Sequence, residues 1–340
     1  MFRKLIISLI AVLFFVCGTV MAGNKIEPLL TTKEKHIVNI SMFIANGDMV
    51  NLEKSIKDGL YNGLTVNEIK EIMIQLYAYC GFPRTLNALS MLMEINKNGI
   101  FTIGVEGTPL PADADKNKIG TKKQKKLVGK TDKKEEVFEF APAIDTYLKE
   151  HLFADIFSRG VLSDSEREIV TIAALSSIES VEPQLNAHIK IGKNTGLTDK
   201  QISEILMMTS KLQTEVFKIG EPNPYSKHFV GQSYLNMLTK EEVVTANVTF
   251  EPKCRNDWHI HHKSGQILLI TGGRGYYQEF DKPARELKKG DVVNIPAETK
   301  HWHGAAKDSW FSHIAIEVPS EGSSTEWLEE VDNEEYDKLP

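Results

Sequence analysis

Trp258-His259-Ile260-His261-His262-Lys263-Ser264-Gly265-Gln266 is the stretch that decides the fold of the C-terminal third of this chain. On a strand, successive side chains alternate faces, so His259 and His261 point the same way, at a spacing that lets two imidazoles share one ion. Gln266 follows a short turn and opens the returning strand. A second stretch runs Gly290-Asp291-Val292-Val293-Asn294-Ile295-Pro296, then His301-Trp302-His303-Gly304. It reads as turn, strand, turn and return, which brings His301 back to the same face. Strand-like runs at 243–250, 266–271, 275–278, 292–295 and 311–318, punctuated by Gly and Pro, fit an antiparallel β-barrel. The expected ligands of one divalent transition metal are His259, His261, Gln266 and His301, a nitrogen and oxygen donor set that first-row divalent ions accept.

The two stretches resemble the paired motifs of the cupins. The first motif reads G, five residues, HxH, three or four residues, E, six residues, G. Here HxH is kept, Gln266 takes the acidic position, and Gly272 and Gly273 stand near the end. The second reads G, five residues, PxG, two residues, H; Gly290, Pro296 and His301 fit, with Glu298 where glycine is usual. The glutamine has a chemical consequence. Three neutral imidazoles and a neutral amide leave the whole charge on the ion, which makes it a stronger Lewis acid and favours non-redox chemistry. The plainer alternative is a set of histidines that holds no metal.

Within the cupins, this segment is similar to small bacterial manganese-type members with hydroxynitrile lyase activity. Lys300-His301-Trp302-His303-Gly304-Ala305, His313-Ile314-Ala315-Ile316 and the ending Trp327-Leu328-Glu329-Glu330-Val331 carry that resemblance. An extra residue between His261 and Gln266 departs from it. The resemblance implies manganese, with iron, nickel, cobalt and zinc open. It also implies that His313 is the acid/base and that His303 lines the pocket. Both are equally readable as hydrogen-bonded barrel residues.

The first two thirds read as helical and duplicated. Residues 162–170 echo 30–38, and Asn194-Thr195-Gly196-Leu197-Thr198 echoes 61–65. Ile202, Glu204 and Ile205 echo Ile69, Glu71 and Ile72 at an offset of 133. Thr32 is the expected N-cap of the first helix, Thr65 caps the next, and Tyr79-Cys80-Gly81-Phe82-Pro83 is expected to end it. Two copies imply a pseudo-dimer, since a solenoid needs at least three units. The expected fold is therefore multidomain α plus β: helical copies at 30–100 and 138–225, a linker at 101–137, and a barrel with its tail at 226–340. The linker carries nine lysines without aromatic interleaving and reads as a solvated connector.

The helical part resembles the carboxymuconolactone decarboxylase family, through Arg167-Glu168-Ile169-Val170, Gln184-Leu185-Asn186-Ala187-His188 and Gly196-Leu197-Thr198. The family's peroxidase branch needs a CxxC pair, and its two positions fall here at Val181 and Gln184, so thiol peroxidase activity is not expected. Glu168 and His188 remain as an acid/base pair or as a buried structural pair. Copy 1 has His36 and Ser55 at those positions and looks degenerate. The family's rings imply a homo-oligomer.

Arg3 and Lys4, the apolar run 5–16 and Val20-Met21-Ala22 read as a cleavable signal peptide over 1–22, which implies export to a periplasm and no membrane partner after cleavage. Of the remaining cysteines, Cys80 and Cys254 lie too far apart in sequence to form a motif. A net charge of −6 argues against nucleic acid. Three functions follow as expectations: a metal-dependent lyase on a small hydroxy or carbonyl compound, a decarboxylase working in the helical part, or a periplasmic binder of a small ligand.

Overall fold

The computed structural model describes residues 29–129, 136–214 and 216–340; the expected signal peptide at 1–22 lies outside them. The first copy consists of α1 (Thr32–Asn46), α2 (Met49–Tyr61) and α3 (Val66–Ile95). After α4 (Lys116–Val128), α5 (Glu136–Phe140), α6 (Pro142–Thr146) and a π-helical stretch Tyr147–Ile156, the second copy follows as α7 (Asp164–Leu175), α8 (Glu182–Asn194) and α9 (Asp199–Gln213).

The repeat is visible in how the helices start. Thr31 and Ser163 each close a capping box, with Glu34 and Glu166, so the first cap is Thr31 rather than Thr32. Thr65 pairs with Glu68 at α3, and Thr198 and Gln201 exchange the same two bonds at α9. The copies share one core: Ile37, Ile40 and Ile44 of α1 pack with Ile169, Ile172 and Ala173 of α7, all buried.

Ion pairs repeat across the copies in exchange. Arg167 of copy 2 reaches Glu71 of copy 1 at 3.3 Å, and Lys35 of copy 1 reaches Glu204 of copy 2 at 2.8 Å. Lys33 bridges Glu68 and Glu166 at 2.7 and 2.6 Å.

One expectation is met here and one is corrected. The helix that starts at Val66 ends at Gly81, whose φ of 78° and ψ of 163° are not helical, and a second helix then completes α3 to Ile95. The described part of the expected linker, 101–129, is not a loose connector. Thr102 and Ile103 carbonyls accept the first N–H groups of α3, and α4 lies against the π-helical stretch. Leu127 is buried there with Leu152, Phe153 and Ile156. Gly120 sits where a Cβ would stand 1.7 Å from the Lys149 carbonyl oxygen, so only glycine permits that approach. Helical period was weak because α4 buries little more than Gly120 and Leu127.

The sheet comprises β1 (Glu221–Pro222), β2 (Phe229–Val230), β3 (Ser233–Thr239), β4 (Thr245–Phe250), β5 (Arg255–Asn256), β6 (His259–His262), β7 (Gln266–Glu279), β8 (Arg285–Lys288), β9 (Val292–Ile295), β10 (His301–Ala305), β11 (Phe311–Glu317) and β12 (Ser324–Trp327). Their pairings are antiparallel, and β1 pairs with β3 ahead of the start expected at 226. The long β7 joins the two sides: its first half pairs β9 and β11, its second half β8 and β10. It bends at Gly273, where φ is 73° and a Cβ would meet the Trp310 carbonyl oxygen at 1.8 Å. The barrel core is Val248, Phe250, Leu268, Ile270, Val293, Ile295 and Phe311.

The tail adds a strand and a short helix. β12 pairs with β6, and α10 (Asn333–Asp337) docks buried Tyr336 beneath Arg255, 4.3 Å from its ring.

A candidate metal centre in the barrel

Alternation along β6 buries His259 and His261 and turns Ile260 and His262 outward. In the antiparallel register of β10 on β6, His301 lies opposite His259. The three rings converge, with centroids at 4.1 Å for His259–His301, 5.1 Å for His259–His261 and 5.4 Å for His261–His301. One ring nitrogen from each falls within 4.8 Å of the others.

The hydrogen bonds set the tautomers. His259 Nδ1 faces the Asp257 carbonyl at 3.0 Å and His301 Nδ1 faces that of Thr299 at 2.8 Å. A carbonyl only accepts, so both Nδ1 atoms carry the proton and both Nε2 lone pairs are free. Nε2 of His261 and of His301 are buried with no hydrogen-bond partner among the described residues, and so is Gln266 Oε1. Gln266 Nε2 donates to Glu317, which turns the amide oxygen away from that carboxylate. Buried polar atoms without partners are costly, and three of them here belong to candidate ligands. His259, His261, His301 and Gln266 therefore fit a divalent ion as three neutral imidazoles and an amide oxygen.

The departure from the second motif has a local reason. Glu298 has φ 62°, the left-handed region that glycine usually fills. Its carboxylate accepts from His262 Nδ1 at 2.7 Å and from the Lys263 N–H at 2.9 Å.

The rings open on a cavity of about 510 Å³, also lined by His303 and His313. Trp327 closes one side, 4.8 Å from the His259 ring and stacked on His228 at 4.5 Å. Burial pushes His301 down to about 4 and His313 down to about 3, and burial with neighbouring imidazole charge holds His259 and His303 well below 6.5. These imidazoles are neutral at neutral pH, as ligands must be.

As the pH falls below 6.5, the unfolded chain binds protons that folded His301 and His313 refuse until about 4 and 3. Stability is thus lost from about pH 6.5 downward, by about 2 kcal/mol per such histidine at pH 5. Chelator-stripped protein should melt several degrees lower at pH 5 than at pH 7.5. A melting temperature flat over that range would mean that these rings are hydrated.

In the helical part, Glu168 is fully buried and His188 Nδ1 lies 2.8 Å from its Oε2. Tyr79, from copy 1, places its hydroxyl 3.5 Å from His188 Nε2. Burial and the Glu168 charge raise the Tyr79 pKa, so its O–H stays on. Glu168 Oε1 has no partner among the described residues. In copy 1, His36 Nδ1 is likewise buried without one, and Ser55 is buried. Asn256 and Glu317 escaped sequence reasoning, and Tyr79 and Trp327 were noticed there without a role in a site, because each reaches its site from a distant segment.

The fold and its histidine cluster define a class: a cupin barrel with a buried histidine triad of the kind that can hold a metal, preceded by a duplicated helical region. Residues 246–316 match the cupin domain family, and 15–94 together with 142–210 match the carboxymuconolactone decarboxylase family. (R)-mandelonitrile lyase of Granulicella tundricola is 42% identical over 94 residues, covering 28% of this chain and 71% of that enzyme. Acireductone dioxygenase of Bacillus mycoides is 26% identical over 143 residues, covering 41% of this chain and 76% of that enzyme. Among solved structures, a cupin-like protein of Thermotoga maritima is 44% identical, covering 36% of this chain and 95% of its own, with a TM-score of 0.35. The chain belongs to the cupin family through its barrel.

Proposed function

We propose that this protein is an exported, metal-dependent lyase that cleaves a small hydroxy compound to a carbonyl product without redox chemistry, with a cyanohydrin such as mandelonitrile as the first probe. The observation that carries the reading is the convergence of His259, His261 and His301 beside the Gln266 oxygen, with unpartnered buried atoms on His261, His301 and Gln266, next to a cavity lined by His259, His261 and Gln266. The likeness to a mandelonitrile lyase supports the reaction class.

A divalent ion held there, manganese first and iron, nickel, cobalt or zinc as alternatives, supplies a Lewis acid for a substrate oxygen. His313 accepts the substrate hydroxyl proton while the neighbouring C–C bond breaks, then returns it to the leaving carbanion. Both of its ring nitrogens are free of partners among the described residues. A base held down to about 3 is too weak to deprotonate an ordinary alcohol, so this chemistry needs the hydroxyl acidified. The test is elemental analysis and mandelonitrile cleavage by protein prepared without chelator, beside His259→Ala.

A second reading rests on Glu168, His188 and Tyr79, which form a hydrogen-bonded series of the kind used for proton transfer. If the helical region were the decarboxylase, Glu168→Gln or His188→Ala would abolish turnover and metal removal would not. Under the lyase reading, Glu168→Gln is expected to leave nitrile cleavage within about twofold, measured by the rate of aldehyde release.

A further inference from the structure

His303 and His313 line the same cavity, yet their nitrogens are held differently. Asn256 of β5 is buried and faces His303 of β10 twice. The His303 backbone N–H donates to Asn256 Oδ1 at 2.9 Å, and Asn256 Nδ2 lies 3.1 Å from His303 Nε2. A backbone N–H can only donate, so the amide oxygen must face it and the NH2 must face the ring. Turning the amide over would oppose its NH2 to the backbone N–H. Nε2 therefore accepts from the Asn256 NH2, so the ring proton sits on Nδ1. A ring protonated at both nitrogens would oppose its Nε2–H to that same NH2, and the geometry excludes it. His303 Nδ1 has no hydrogen-bond partner among the described residues.

We propose that Asn256 is a positioning residue that holds His303 as its Nδ1–H tautomer, so that this cavity wall offers a hydrogen-bond donor and selects small substrates with a nitrile or carbonyl acceptor beside the reacting oxygen. His313, with no such lock on either nitrogen, is left as the ring that can receive a proton. The donor's use in turnover rests on the lyase reading; the tautomer does not.

Asn256→Asp is the discriminating variant. Its carboxylate still accepts the His303 N–H but now faces Nε2 with an acceptor, which forces the proton onto Nε2. The first readout is 15N NMR of histidine-labelled, metal-free full-length protein, with His303→Gln to assign the ring. The wild type is expected to show Nδ1 protonated and Asn256→Asp to show Nε2 protonated. A wild-type ring protonated at Nε2, or at both nitrogens, overturns the proposal. The second readout is mandelonitrile cleavage by the metal-loaded proteins, with kcat expected to fall about a hundredfold in Asn256→Asp at unchanged metal content. An unchanged kcat in a variant with a switched tautomer overturns the donor role. If the wild type does not cleave the nitrile, the reaction class fails while the NMR result still decides the tautomer. Should Asn256→Asp not fold, Asn256→Ala is expected to give a mixture of tautomers, and a single Nδ1–H form there would also overturn the role of Asn256.

Discussion

His259→Ala is expected to lose the bound metal and to lower lyase turnover by more than about a thousandfold, the equivalent of ~4 kcal/mol of transition-state stabilisation. The size follows from the donor set. His259 is the ring that touches both of its partners most centrally, 4.1 Å from His301 and 5.1 Å from His261. Removing it leaves two imidazoles and an amide, too few donors to hold a divalent ion against water. The fold should survive. His259 makes one protein hydrogen bond through its ring, to the Asp257 carbonyl, whose loss costs about 1 kcal/mol. Removing a buried imidazole also removes a group that resists protonation, so the melting temperature of metal-free protein at pH 5 should not drop further. The measurement is metal per chain, circular dichroism and turnover on the same samples. Retained metal, or unchanged activity after its loss, would sink the lyase reading and move the search to Glu168 and His188.

The second large effect lies in the helical region. Arg167→Ala should destabilise it by about 2–3 kcal/mol, because it removes a buried guanidinium with its hydrogen bonds to Glu71 and Gln75 and leaves the buried carboxylate to Arg159 alone. Arg167 is fully buried and donates to Glu71 at 3.3 Å and to Gln75 at 3.0 Å. Gln75 in turn donates to the Arg167 carbonyl at 2.8 Å and to Thr171 at 2.9 Å. Arg159 also reaches Glu71, at 2.8 Å, but its side chain is partly exposed and cannot replace the buried fork. The counterpart pair Lys35–Glu204 has a lysine side chain 44% exposed, so Lys35→Ala should cost under about 1 kcal/mol. Urea denaturation of the two variants reads this asymmetry directly. Equal midpoints would mean that the buried pair is not distinguished by its burial. The double replacement Arg167→Met with Glu71→Leu should recover part of the loss, since the buried pair becomes apolar while the partly exposed Arg159 loses its carboxylate.

The histidine cluster was readable because alternation on one strand and the return of the next are local geometry. His259, His261 and Gln266 lie within eight residues, and His301 follows a turn, a strand and another turn. The duplication was readable for the same reason, since capping residues recur at nearly the same offset, Thr31 with Ser163 and Thr65 with Thr198. The helix in 101–137 was not readable, because its lysine-rich face hides an apolar contact made by little more than Leu127. The resumption of α3 after Gly81 was also missed, since a glycine followed by Pro83 ends most helices.

What the sequence by itself determined is the inventory and its local order: two copies of a capped helical unit, then strands that alternate ligand and non-ligand side chains. Those features depend on residues a few positions apart, where backbone geometry alone sets which side chains share a face. Only the tertiary structure decided which distant groups complete each site. Glu317 turns the Gln266 amide, Asn256 sets the His303 ring, Trp327 arrives on the tail, and Tyr79 crosses from copy 1 to His188 of copy 2. Such pairings join segments up to 109 residues apart. They carry no periodic signal, because they come from the packing of whole elements and not from the path of the chain.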